Sequence, residues 1–113
     1  MTQPTFATYP SLKGKTVFIT GGALGIGAEL VRGFAAQGAN VGFVDLDEAH
    51  SQALANTAAN ITYEICDLKD IEALQKALAQ LASRLGPATV LVNNAANDDR
   101  HSWRDVTPAY WDE

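Results

Sequence analysis

Thr20-Gly-Gly-Ala-Leu-Gly-Ile-Gly27, TGGALGIG, runs on directly from the apolar stretch Thr16-Val-Phe-Ile-Thr20. Glycine costs about 0.5 to 1 kcal/mol relative to alanine inside regular structure, so such a cluster marks a backbone geometry or a close approach that side chains would block. The flanking residues say which elements it joins. Upstream, two β-branched residues between threonines, preceded by Lys13-Gly14-Lys15, predict a short buried strand over 16–20. Downstream, Ile26, Leu30 and Phe34 recur at four-residue steps with Val31 beside them, and Gly38 stands where a C′ residue would close the segment. The spacing predicts a helix from Gly25 with one face turned inward.

The alternation then repeats along the chain. Asn40-Val-Gly-Phe-Val44 reads as a second strand, the alanine-rich stretch from Asp47 to Ala59 as a helix, and Ile61-Thr-Tyr-Glu-Ile-Cys66 as a third strand. Ile71, Leu74, Leu78, Leu81 and Leu85 advance by three and four, with Asp70 placed to cap this helix and Gly86-Pro87 to stop it. Thr89-Val-Leu-Val-Asn93 is the fourth strand, and Thr107-Pro108 has the form of an N-cap and N1 pair opening another helix. Strands alternating with helices predict an α/β fold with a parallel sheet, because parallel neighbours need crossover connections.

Composition agrees with one folded domain: 113 residues, 47% hydrophobic and 19% charged. A net charge of -5 with singly scattered Lys and Arg leaves no basic footprint, so nucleic acid is not an expected partner. The single cysteine, Cys66, excludes an internal disulfide, and with His50 and His101 it lacks metal-ligand spacing, so no metal centre is expected. The first residues show neither a basic nor an apolar leader region, and no later run reaches membrane length. A soluble, cytoplasmic protein without a membrane partner is the expectation.

The glycine cluster links a strand's C-terminal end to a helix N-terminus, where free amides and the helix dipole favour an anion such as phosphate. A P-loop would carry Lys and Ser or Thr after its last glycine, but Ala28-Glu29 follow Gly27. The compact GxGxxG spacing fails too, because Leu30 stands at its last position. From the loop alone, glycines that merely permit tight strand-to-helix packing remain an alternative. Asp45 lies near the roughly 20-residue offset at which an acid meets an adenosine ribose. Asp45 and Asp67 could each be an ordinary strand-end carboxylate. Their order carries the argument: Asp45, Asp67 and Asn94 follow successive predicted strands, at the edge where open α/β sheets bind ligands.

Thr20 with the spacing Gly21-x-x-x-Gly25-x-Gly27 resembles the cofactor loop TGxxxGxG of the short-chain dehydrogenase/reductase family. Cys66-Asp67-Leu68 resembles the family's acidic-hydrophobic pair at the adenine edge. Asn93-Asn94-Ala95-Ala96 resembles its NNAG motif, with Ala96 in place of the glycine. The resemblance implies a Rossmann-type doubly wound parallel sheet. Residues 1–113 would be a single NAD-binding domain, the N-terminal part of the fold, with about four strands and alternating helices, truncated relative to the family. It implies cofactor contacts from Gly21, Leu24, Gly25, Ile26, Gly27, Asp45, Leu46, Asp67, Leu68, Asn94, Ala95 and Ala96. A carboxylate at Asp45 accepts hydrogen bonds from both ribose hydroxyls and repels a 2′-phosphate, so NAD is expected rather than NADP.

Tyr9-Pro-Ser-Leu-Lys-Gly-Lys15, Asn93-Asn-Ala-Ala-Asn-Asp-Asp-Arg-His101 and Val106-Thr-Pro-Ala-Tyr-Trp-Asp-Glu113 look like the bacterial NAD-dependent sugar dehydrogenases that oxidise aldoses to lactones. Asn97, Asp99 and His101, with Asp98 and Arg100, form a polar cluster suited to the hydroxyls of a small polar substrate such as a sugar. A solvated loop with its own Asp-Arg pair is the other reading. The resemblance also implies a catalytic Ser with Tyr and Lys in a Tyr-x-x-x-Lys arrangement. Tyr9, Tyr63 and Tyr110 lie outside that context, so no catalytic residue is assigned and the isolated chain is expected to be inactive. The expected function is an NAD-dependent oxidoreductase acting on a sugar or polyol hydroxyl, with full-length relatives forming homo-oligomers. The alternative is a stand-alone nucleotide-binding or nonfunctional piece without catalysis.

Overall fold

The computed structural model describes residues 8–94. After a 3-10 turn at Pro10–Leu12, the chain forms β1 (Thr16–Thr20), α1 (Gly25–Ala36), β2 (Asn40–Asp45), α2 (Glu48–Ala55), β3 (Ile61–Ile65), α3 (Ile71–Leu85) and β4 (Val90–Asn93). All strand pairs are parallel and the order across the sheet is β3-β2-β1-β4. The α/β class predicted from the alternation is therefore present. The order reverses between β1 and β4, and the crevice outside the strand ends at such a switch point is where open sheets bind ligands.

Burial explains why β1 and β2 read as continuous apolar runs. Every residue of β1 is buried, as are the middle four of β2, because both strands are covered on both faces. On one face Val17, Ile19, Val41 and Phe43 pack with Ala28 and Val31 of α1 and Leu54 of α2. On the other, Phe18 and Val44 pack with Ala77 and Leu81 of α3. The period-2 alternation of strand side chains sorts these two sets. Glycine at position 42 lets α3 close on β2, since a Cβ there would lie 3.1 Å from Leu85 Cδ1 and 3.2 Å from Leu81 Cδ2.

The caps form largely as their residue types predict. Asp70 accepts from Ala73 N at the head of α3, and Gly86 at its end has φ 86°. Gly38 has φ 87° and donates to Ala35 O at 3.0 Å, turning the chain out of α1.

Two expectations need correction. The second helix stops at Ala55, short of Ala59, because Thr57 turns back with its hydroxyl donating to Leu54 O at 2.6 Å; Asp47 is its N-cap. Ile26, expected on the inward face of α1, is 75% exposed. Gly27, Ala28 and Val31 form the buried stripe instead.

Candidate functional site

The C-terminal ends of β1, β2 and β4 meet at the glycine loop. Gly21 and Gly25 have φ 69° and 58°, in the left-handed region that favours glycine. Gly27 is required for a different reason. A Cβ on it would sit 1.9 Å from Gly21 O and 2.7 Å from Asn94 Nδ2. Those two atoms are themselves bonded, because Asn94 Nδ2 donates to Gly21 O at 3.0 Å. Asn94 N donates to Thr20 Oγ1 at 3.0 Å, and that hydroxyl donates to Asn93 Oδ1 at 3.1 Å. The end of β4 is thus fastened to the loop after β1.

At Gly25 a Cβ would meet nothing within 4 Å, so the loop backbone faces open space there. The N-cap of α1 is Leu24, which makes no side-chain cap hydrogen bond. Amides in the first turn of α1 thus lack the partner that Ser, Thr, Asp or Asn would supply, and an anion can satisfy them.

Asp45 closes β2 with both carboxylate oxygens engaged. Oδ2 accepts from Ala23 N at 3.0 Å and Oδ1 accepts from Asp47 N at 2.9 Å. Asp67 stands exposed after β3, its Oδ1 accepting from Lys69 N at 3.0 Å, while half-buried Leu68 packs against the α3-side core. Leu24, Ile26 and Leu46 are all more than half exposed around the loop. Ala95, Ala96, Asn97, Asp99 and His101 lie outside the described residues.

The glycines, Asp45 and Asn94 are therefore brought into one hydrogen-bonded assembly. Thr20, named from sequence only as the first residue of the TGxxxGxG pattern, and the Ala23 amide, not named at all, also belong to it. Thr20 was legible only as part of the loop pattern, and a backbone amide has no side-chain signature. A cavity of about 800 Å³ between α1 and α2 was also not anticipated. It is lined in part by Leu24, Ile26, Leu30, Leu54 and His50, but not by Asp45, Asp67 or Asn94.

One tyrosine does have a lysine four positions on: Tyr9 and Lys13. Both sit at the wrong end of the sheet for this crevice. Tyr9 N donates to Gln37 Oε1 at 2.8 Å, and Lys13 lies against Gly38, just before β2 begins. Tyr63 is in β3, stacked on Phe43 with ring centroids 5.7 Å apart.

Two titratable groups near the strand ends depart from their ordinary pKa. The His50 backbone N–H, followed by its side chain, holds the Asp47 carboxyl down. Stability from this cap is present at neutral pH and is lost as acid titrates the carboxyl in the folded chain. Burial, then the charges of Asp67, Asp70 and Asp45, push the Cys66 thiol up. A neutral, buried thiol reacts slowly. At pH 8 a disulfide reagent should modify Cys66 about tenfold faster in denaturing urea than in buffer, followed by thiolate release; equal rates would contradict the burial of this group.

Among the described residues no helix is long and apolar enough to cross a membrane, and no cluster of His, Cys, Asp or Glu could hold a metal ion.

A family model described as short chain dehydrogenase matches residues 15–113. The chain is 52% identical over 111 residues to D-xylose 1-dehydrogenase of Caulobacter vibrioides, covering 95% of this chain and 43% of that protein. It is 43% identical over an alignment of 118 residues to a probable galactose dehydrogenase of Rhizobium meliloti, covering 100% of this chain and 46% of that one. Among solved structures, a double mutant of a Serratia marcescens short-chain dehydrogenase/reductase superposes with a TM-score of 0.79 at 31% identity, over 92% of this chain and 44% of that chain. A blue fluorescent protein from a metagenomic library, solved in complex with NADPH, gives a TM-score of 0.78 at 32% identity, over 89% and 44%. The chain spans under half the length of these relatives.

Proposed function

The chain belongs to the short-chain dehydrogenase family, and on that premise we propose that its glycine loop, Asp45 and Asn94 form the NAD seat of a dehydrogenase that oxidises a sugar hydroxyl. The observation that carries this reading is the uncapped head of α1 behind a loop whose left-handed Gly25 faces open space. Such a cradle fits a pyrophosphate, because backbone amides and the helix dipole supply the complement to its charge.

In this reading Gly21, Gly25 and Gly27 shape the loop under the pyrophosphate, and Leu24 and Ile26 cover it. Asp45 accepts the ribose hydroxyls beside Leu46; its two amide bonds leave lone pairs for them, since a carboxylate has about four acceptor sites. Asp67 and Leu68 flank the adenine, while Asn94, Ala95 and Ala96 line the other end of the cofactor. NAD, when bound, supplies a hydride acceptor for the oxidation. Asn97, Asp99 and His101 are proposed to meet the hydroxyls of the sugar. No proton-transfer role is assigned to a described residue, because Tyr9 and Tyr63 stand away from the glycine loop.

A sugar is favoured as substrate by the named activities of the D-xylose and galactose dehydrogenase relatives. We place the protein in the cytoplasm, with homo-oligomers expected of full-length relatives. The second reading, a nucleotide-binding unit without catalysis, draws on the placement of the described tyrosines: Tyr9 bonds to Gln37 and Tyr63 is on β3, two strands from β1 and its glycine loop.

Titration with NAD and NADP tests the cofactor assignment. A 2′-phosphate brought against the Asp45 carboxylate meets like charge, so NAD should bind at least about tenfold more tightly, a difference of about 1.4 kcal/mol. Tighter binding of NADP would remove the role given to Asp45. Absence of binding by either nucleotide would remove the seat altogether.

A further inference from the structure

We propose that Asp45 is also a positioning residue, whose carboxylate fixes the glycine loop in shape before any cofactor arrives. Two amides from different loops converge on it: Ala23 N, from the turn between β1 and α1, and Asp47 N, from the turn between β2 and α2. Ala23 is 5% exposed, so its N–H has little access to water as a substitute partner. Before this point the chain is still held as a strand, with Gly21 N donating to Val44 O at 2.8 Å. Beyond it, α1 begins with the uncapped Leu24. The bond from Ala23 therefore falls where ladder support has ended and helical support has not begun. Hydrogen bonds to a charged acceptor are the stronger kind, and leaving a buried amide unpaired is costly.

The inference deepens the reading of the loop as a pyrophosphate seat and rests on it for its functional meaning. It gives Asp45 a task that the ribose contact does not include. A substitution chosen to relieve repulsion of a 2′-phosphate would also release the loop, so it would weaken both nucleotides instead of exchanging one for the other.

The test compares the unaltered chain with Asp45→Asn and Asp45→Ala, first by amide hydrogen exchange without nucleotide. In Asp45→Ala the Ala23 amide should exchange about tenfold faster, and in Asp45→Asn by less, because one oxygen acceptor remains. Protection of Ile19 and Val41 reports that the sheet is intact. Inorganic pyrophosphate is the second probe. Both variants lose the same charge, and charge alone would raise the affinity of a polyanion in each. Loss of the tether predicts the opposite: affinity about fivefold lower in Asp45→Ala, with Asp45→Asn between it and the unaltered chain. Unchanged exchange at Ala23, or a rise in pyrophosphate affinity in either variant, overturns the proposal. If a variant loses the sheet, exchange in the unaltered chain decides: protection of Ala23 supports the tether, and exchange at an open-loop rate refutes it. The exchange measurement uses no cofactor, so failure of the tether and failure of the NAD reading remain separate results.

Discussion

Replacing Gly27 with alanine is expected to destabilise the chain by about 3 kcal/mol and to abolish nucleotide binding at accessible concentrations. Helix propensity alone predicts the reverse sign, since glycine inside a helix costs about 1 kcal/mol relative to alanine. The contact decides between them. The new Cβ would lie 1.9 Å from Gly21 O and 2.7 Å from Asn94 Nδ2, and a carbonyl oxygen on the backbone cannot move aside as the tip of a side chain can. To relieve the clash, the loop must leave α1 or Asn94 must release Gly21 O, and both changes spoil the cradle. Urea unfolding should show the midpoint lowered by about 2 M. Gly33 supplies the control on the same helix. It is exposed, has no left-handed φ, and a Cβ there meets nothing within 4 Å. Gly33→Ala should therefore stabilise by about 0.5 to 1 kcal/mol. A Gly27 variant as stable as the Gly33 one would show that the loop and α1 are not packed in this way.

Leu81→Ala is the second large effect, with an expected loss of about 3 kcal/mol. Leu81 is fully buried on α3, and it faces the bare backbone of Gly42 in β2. Glycine has no side chain to move into the space that the truncated residue vacates, so the cavity persists and adds to the lost transfer energy. The affected contact is the one by which α3 covers β2, the strand that ends at Asp45. The exposed Lys76 on the same helix provides the contrast, because Lys76→Ala should fall within about 0.5 kcal/mol of the unaltered chain. Thermal or urea unfolding measures both. A loss below about 1 kcal/mol for Leu81→Ala would mean that α3 is held elsewhere.

Much of the fold could be read from local pattern. Thr16-Val-Phe-Ile-Thr20 announces a strand covered on both faces, and Asp70 and Gly86 announce the ends of α3, because burial of short strands and capping depend on residues close in sequence. The reading of Ile26 failed for a related reason. Four-residue spacing identifies a helical face, but it does not say which of two adjacent stripes meets the sheet, and Gly27 and Ala28 took the buried place. Alanine and glycine carry a weak hydrophobic signal, so a stripe built on small residues is hard to see. The candidate site was legible as a set of residue types at successive strand ends. Its wiring was not legible, since Ala23 N, Asp47 N and Gly21 O are backbone atoms that any residue would offer.

Sequence by itself determined the succession of strands and helices, the glycines at the turn into α1, and the acidic and amide residues at the C-terminal ends of β2, β3 and β4. Those properties arise from neighbours a few positions apart, where hydrophobic period, caps and breakers act. Only the tertiary structure decided that β1 lies between β2 and β4, which brings Asp45 onto Ala23 and Asn94 onto Gly21. It alone also made Gly27 indispensable for contact with residues 21 and 94. Strand order is settled by which apolar faces can be covered together by α1, α2 and α3, and that balance sums contacts between segments distant in the chain.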